Sequence, residues 1–161
     1  MMAPRKSQLD STDWKILAEL QEDARKTYQE IGDAVGMTRP AVRERILRLE
    51  ESGVITGYRT EISPSAAGRA LHAMLVFKFS PDSDFDGKKP NDVLMPLLNS
   101  SSNVVRYWVI YGDLDFLIET ASATKEDLDA LVNKLRNYGF VRTHIIVWAV
   151  SRPYRETRSE G

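Results

Sequence analysis

Four arginines fall between Thr38 and Leu49, opposed there by a single acid, Glu44. Val42, Ile46 and Leu49 recur at i, i+4 and i+7, the stripe of a helix that buries one side. Arg39, Arg43 and Arg48 lie mostly off that stripe and face solvent. A helix that packs one side against two others and shows arginines on the other has the design of a major-groove reader. An ordinary amphipathic helix with a solvated charged face shares that pattern, so the flanking residues decide. Ahead of it, residues 27–35 read as a shorter helix, and Gly36 stands where a helix end needs a residue tolerant of positive φ. Thr38 can cap the second helix, and Pro40 falls in its first turn, where a missing N–H costs little. Two helices joined by a tight glycine turn favour the reading of Thr38, Arg39, Pro40, Arg43 and Arg48 as DNA contacts.

These two helices need a third to enclose a core. Asp10 and Asp13 bracket its start, an acidic cap with a second carboxylate three residues on. Trp14, Ile16, Leu17 and Leu20 supply its buried side, giving the trihelical arrangement of helix-turn-helix domains. Arg45 sits near the buried edge and is expected to pair with an acid inside the domain, Glu30 or Glu50. Leu47 is expected to face solvent. After Gly53, Val54 to Thr60 reads as a short strand. It is either a small wing that brings Arg59 to backbone phosphate or a connecting strand with a solvated arginine.

The chain has 161 residues, 42% apolar and 28% charged, with a net charge of −1. Residues 1–62 hold ten Lys/Arg against eleven Asp/Glu, so the basic character is one local face. Phosphate contact requires no more than that. No cysteine is present, which excludes disulfides, thiolate metal sites and cysteine nucleophiles. Two histidines, His72 and His144, are too few for a histidine-built metal centre. No cofactor is expected. The opening MMAPRKSQLD has no apolar run, and no segment approaches the roughly 20 apolar residues that span a bilayer. A cytoplasmic location without membrane association is the expectation.

The first half carries a specific resemblance. Leu9-Asp10, Asp13 and Ile16-Leu17 are followed by Ile31-Gly32 and Val35-Gly36-Met37-Thr38. Then come Val42, Arg45-Ile46, Leu49-Glu50, Gly53-Val54-Ile55 and Gly57-Tyr58. In that order and spacing they resemble the Lrp/AsnC (leucine-responsive, feast/famine) family of regulators. The resemblance implies a winged helix-turn-helix that binds double-stranded DNA, with the helix opened by Arg39 and Pro40 in the major groove.

Ser63 to Gly68 is rich in turn formers and marks a linker. The domain expectation is residues 1–62 for DNA binding, 63–69 as linker, 70–152 as a second domain and 153–161 as a polar tail. In the second domain Leu71 to Phe79 alternates as a strand, and residues 80–90 are loop-like. A helix at 93–98 is interrupted by Pro96. Strands follow at 104–111 and 116–121, then a helix opened by Thr124 and Asp127 and ended by Gly139, and a last strand at 141–150. The order β-α-β-β-α-β predicts an α+β protein, its second domain a ferredoxin-like split fold with both helices on one face of an antiparallel sheet. The other face, with Trp108 and Trp148, is expected to be too apolar to stay wet. A two-fold second copy is the simplest cover, and would present two recognition helices to a pseudo-palindromic site. The resemblance agrees, since the family's RAM domain dimerises in this way; assembly to an octamer is its larger form.

The turn Gly112-Asp113-Leu114-Asp115-Phe116 resembles the family's Gly-x-x-Asp loop, which helps to form an amino-acid effector pocket between dimers. Backbone N–H groups beside glycine can hold a carboxylate and Asp115 an ammonium, the two needs of a zwitterion. Gly and Asp are also what any tight hairpin prefers. Tyr111 stands where relatives often place a small hydroxyl residue, so it narrows the pocket, selects an aromatic effector or fills it. Tyr111, Gly112, Asp113 and Asp115 are the effector candidates, and the two histidines are read as satisfied structural groups. A sirohaem-decarboxylase-like enzyme on the same two-domain plan is the alternative, recruiting His144 and Arg142, but it leaves the arginine-bearing helix without a purpose.

Overall fold

The computed structural model describes residues 9–150 and Tyr154; most of the expected polar tail lies outside that range. Its elements are α1 (Ser11–Glu22), α2 (Tyr28–Val35), α3 (Arg39–Glu51), β1 (Leu71–Phe79), α4 (Pro90–Ser100), β2 (Val104–Val109), β3 (Phe116–Ser122), α5 (Lys125–Arg136) and β4 (Gly139–Ile145). They divide into two units, Met1–Thr60 with Val150–Gly161, and Glu61–Ala149.

In the first unit α1 and α2 each begin on a side-chain cap. Asp13 N–H donates to Asp10 Oδ1 (2.7 Å) and Asp10 N–H to Asp13 Oδ2 (3.2 Å), a reciprocal box. Thr27 and Glu30 repeat it at α2. Such boxes satisfy two N–H groups that a helix start otherwise leaves open. At the end of α2, Gly36 takes the left-handed conformation (φ 73°) that an L side chain resists. Ile16, Ile31, Val42, Ile46 and Leu49 meet as the fully buried core. The expected strand at 54–60 does not form. Val54 and Ile55 instead turn back, both donating to Leu49 O (2.9 and 3.0 Å), which closes the end of α3. Leu47 is half-buried, not solvent-facing.

The second unit is an antiparallel sheet in the order β2-β3-β1-β4. Ala73, Leu75 and Phe77 of β1 and Phe116 and Ile118 of β3 share one face with Leu94 and Leu98 of α4 and Leu128, Leu131, Val132 and Leu135 of α5. This is the expected α+β, ferredoxin-like architecture. Three local expectations change. Helix α4 runs for 11 residues despite Pro96, because Leu94 and Leu98 anchor it on either side of the proline. Gly139 starts β4 instead of ending α5, and a Cβ there would lie 2.1 Å from Lys78 O, so only glycine lets β4 close on β1. Strand β4 ends at Ile145, leaving Trp148 84% exposed beyond the sheet.

The face turned away from α4 and α5 is also more polar than expected. Register puts Trp108, Leu117, Val76 and Arg142 in one row and Arg106, Glu119, Met74 and His144 in the next. His72 Nε2 lies 2.9 Å from Glu119 Oε1, and Arg106 Nε lies 3.1 Å from Glu119 Oε2. His72 is therefore a satisfied structural group, as anticipated.

Candidate nucleic-acid interface

Helix α3 presents two kinds of arginine. Arg45 donates through Nη1 to Asp10 Oδ2 (2.6 Å) and Asp13 Oδ1 (2.8 Å). Arg48 donates through Nη2 to both oxygens of Asp13 (2.9 and 3.0 Å). Asp13 is only 2% exposed, so these bonds compensate a carboxylate removed from water at the α1–α3 contact. The hydrogen bond from Arg45, then the Asp13 N–H, hold the Asp10 carboxyl below its usual range. Arg45 is raised in turn, chiefly by Asp10. The expectation that Arg45 pairs inside its domain holds, but its partners are Asp10 and Asp13, not Glu30 or Glu50. Glu30 is occupied by Thr27, and Glu50 accepts from Tyr58 Oη at 2.8 Å. Burial, then that bond, pushes the Tyr58 hydroxyl up to about 12.

Arg48 therefore differs from its expected role as a free solvent-facing contact, since one edge of its guanidinium is committed to Asp13. It keeps 59% side-chain exposure. The signal was present in the sequence. Asp13 lies three residues before Ile16 and so on the buried side of α1, while Arg45 and Arg48 share a face at i, i+3. Reading Asp13 only as a cap missed its second task.

Thr38, Arg39, Pro40 and Arg43 are all exposed, gathered along the first turn and a half of α3. Among the described residues neither Arg39 nor Arg43 forms an ion pair. Thr38 occupies the cap position in extended backbone (φ −74°, ψ 149°), but its hydroxyl accepts no helix N–H, contrary to expectation. The start of α3 thus keeps unsatisfied N–H donors beside two cations, a setting suited to phosphate. Close packing of α2 on the turn that follows it fixes this surface: a Cβ on Gly32 would sit 2.5 Å from Met37 O, with Val42 Cγ2 of α3 at 3.6 Å. Arg59 is exposed in the irregular segment after α3 and does not ride on a wing strand.

The AsnC-type helix-turn-helix domain matches residues 9–50, the three helices just described. The leucine-responsive regulatory protein of Rhizobium meliloti (strain 1021) is 32% identical over 146 residues, covering 87% of this chain and 90% of that protein. The chain belongs to the Lrp/AsnC family of transcription regulators. Another relative, the HTH-type transcriptional regulator Rv2324 of Mycobacterium tuberculosis (strain ATCC 25618 / H37Rv), is 33% identical over 130 residues, covering 80% and 83%. Among solved structures, the Neisseria meningitidis regulator NMB0573 in complex with L-Met superposes with a TM-score of 0.79 at 20% identity, covering 94% and 98%, and shares the fold. As an Lrp/AsnC member the protein is a DNA-binding regulator and not an enzyme, so the sirohaem-decarboxylase alternative falls. No helix among the described residues is long and apolar enough to cross a membrane.

The turn at 111–115 has a definite geometry. Tyr111 is 99% exposed and so fills no pocket of its own protomer. Gly112 has φ 150°. Asp115 is stitched to the sheet: its carboxylate accepts Phe79 N–H (2.7 Å), its N–H donates to Phe77 O (3.0 Å), and its carbonyl accepts Ile110 N–H (2.8 Å). That is the hairpin role weighed at the outset, and it leaves Asp113 as the exposed acid of the turn.

Proposed function

We propose that this regulator binds a pseudo-palindromic operator as a two-fold dimer, with the N-terminal half of α3 in the major groove. Arg39 and Arg43 contact DNA directly, Thr38 and the adjacent N–H groups take a phosphate, and Arg59 adds a backbone contact. Arg48 contributes only the edge that Asp13 leaves open, and Pro40 shapes the helix start. The observation that carries this reading is the separation of arginines on one helix, two tied to Asp13 and two exposed at the helix start without an acid. Fluorescence anisotropy with a genome-selected operator tests it. Arg43→Ala weakens binding by about 1–3 kcal/mol if it reads a base, or lowers the salt slope by about one if it holds a phosphate. Unchanged affinity and slope would sink the assignment.

The dimer forms through the sheet face left open by α4 and α5, where Trp108, Leu117, Val76 and Met74 supply the apolar contact and Arg106, Glu119 and Arg142 fix the register. Dimers associate further, up to an octamer, through contacts that include the 111–115 turns. An amino acid binds there as effector, its carboxylate at the Gly112 backbone and its ammonium at Asp113, with Tyr111 closing on it from a neighbouring copy. The L-Met in the Neisseria meningitidis structure supports an amino acid as the class. Such a regulator works in the cytoplasm, where the DNA is. Calorimetric titration with an amino-acid mixture checks the pocket: Asp113→Asn abolishes binding, and retention would assign the ammonium elsewhere.

A further inference from the structure

The segment 54–60 reads as a strand, with Ile55, Tyr58 and Thr60, yet no strand pairs with it among the described residues. It instead forms one wall of a groove of about 760 Å³, with Val54, Ile55 and Tyr58 facing Trp14, Leu17 and Leu20 of α1. A cleft of that size lined by apolar side chains is large enough for several residues of peptide. One residue from the far end of the chain already lies in it. Tyr154 is part of the groove lining, and Gln21 grips its backbone at two points. Tyr154 N–H donates to Gln21 Oε1 (2.7 Å), and Gln21 Nε2 donates to Tyr154 O (3.1 Å). A primary amide that gives and takes one bond each imitates the rung of a β-ladder, and so selects extended backbone over any particular side chain.

We propose that this groove is a peptide-binding site whose occupant is the chain's own C-terminal segment, Val150 to Gly161, anchored at Tyr154. The occupant is identified by the Gln21 clamp on Tyr154, a residue of that segment that already lines the groove. The tail takes the place of the missing wing partner and steadies the wall that carries Arg59. That last consequence rests on the DNA reading above; the groove itself does not.

Hydrogen–deuterium exchange on the full chain, free of DNA, tests the groove. Two variants are compared with it, a chain ending at Ala149 and full-length Gln21→Ala. Both are expected to exchange several-fold faster in the last turn of α1 and at Val54 and Ile55, with the centre of α3 unchanged. A synthetic peptide of residues 150–161 restores protection to the truncated chain, and a scrambled peptide does not. Unchanged exchange in both variants, or equal rescue by the scrambled peptide, overturns the proposal. Dilution of the full chain asks whose tail is bound. Protection at Val54 and Ile55 that is lost on dilution assigns the groove to a second copy's tail and overturns the self-binding form. In DNA binding, Arg59→Ala weakens the full chain a few-fold and the truncated chain not at all. If Arg59→Ala has no effect in either while exchange still responds, the phosphate role of Arg59 fails and the groove stands.

Discussion

Along α3, Arg39 and Arg43 extend from the helix start with no ion pair among the described residues, whereas Arg45 and Arg48, barely a turn further, close on Asp10 and Asp13 of α1. One residue type is thus left open to solvent at one end of a 13-residue helix and built into the architecture at the other. The difference is set by the neighbouring helix. Where α1 crosses, it brings a buried carboxylate that demands cations; where it does not, the guanidinium stays hydrated and free to exchange water for phosphate oxygen. Charge at a helix surface therefore says little about function until the facing element is known.

The comparison breaks most visibly at Asp13. Asp13→Asn keeps the shape and a cap acceptor but strips the charge that holds Arg45 and Arg48. It is expected to destabilise the first unit by about 3 kcal/mol, toward the low end for a broken buried pair because Arg48 is more than half exposed. Thermal unfolding by circular dichroism reads this, and a loss under about 0.5 kcal/mol would demote the cluster to a surface ion pair. Arg43→Ala should do the reverse, leaving the melting temperature in place while DNA affinity falls as given above.

Acid separates the two ends in the same way. Asp10, held down first by Arg45, and Glu30, held down first by the Thr27 N–H, both have folded pKa values below their unfolded ones. Depressed carboxylates add stability that is present above the ordinary value of about 4 and is lost as pH falls through the lower folded values. The first unit is therefore expected to lose stability progressively below about pH 4. In Arg45→Met that part of the acid sensitivity shrinks, and an unaltered acid profile would show that Asp10 is depressed by something else. The smallest effect sharpens the contrast. Thr38→Ala removes a hydroxyl that caps nothing, so stability shifts by less than the ~1 kcal/mol of a working cap, while DNA affinity drops. Thr27→Ala, whose hydroxyl does cap, gives the full loss of about 1 kcal/mol without touching DNA binding.

Most of the architecture was legible in the residues because it depends on local rules. Asp10/Asp13 and Thr124/Asp127 announced two helix starts, and both form reciprocal boxes. Alternation gave β1 and its faces. Several misreadings turn on contacts distant in sequence. Nothing near Gly139 reveals the Lys78 carbonyl it must clear. Val54 to Thr60 has the composition of a strand but no ladder partner, and β propensity acts only through such a partner. The candidate DNA surface was legible to the same degree: Arg39, Arg43 and Thr38 lie where the helical period puts them, and Arg48 does not behave as placed because its partner sits 35 residues away.

Asp115 bears on the proposed meeting of an amino acid with the 111–115 turn. Three hydrogen bonds tie this residue to Phe77, Phe79 and Ile110 before anything arrives. The base of the loop is already stiff, so a visitor recognised there need not freeze it first and forfeits little entropy on landing. Loosening that stitch would blunt a response without removing a single atom that touches the guest.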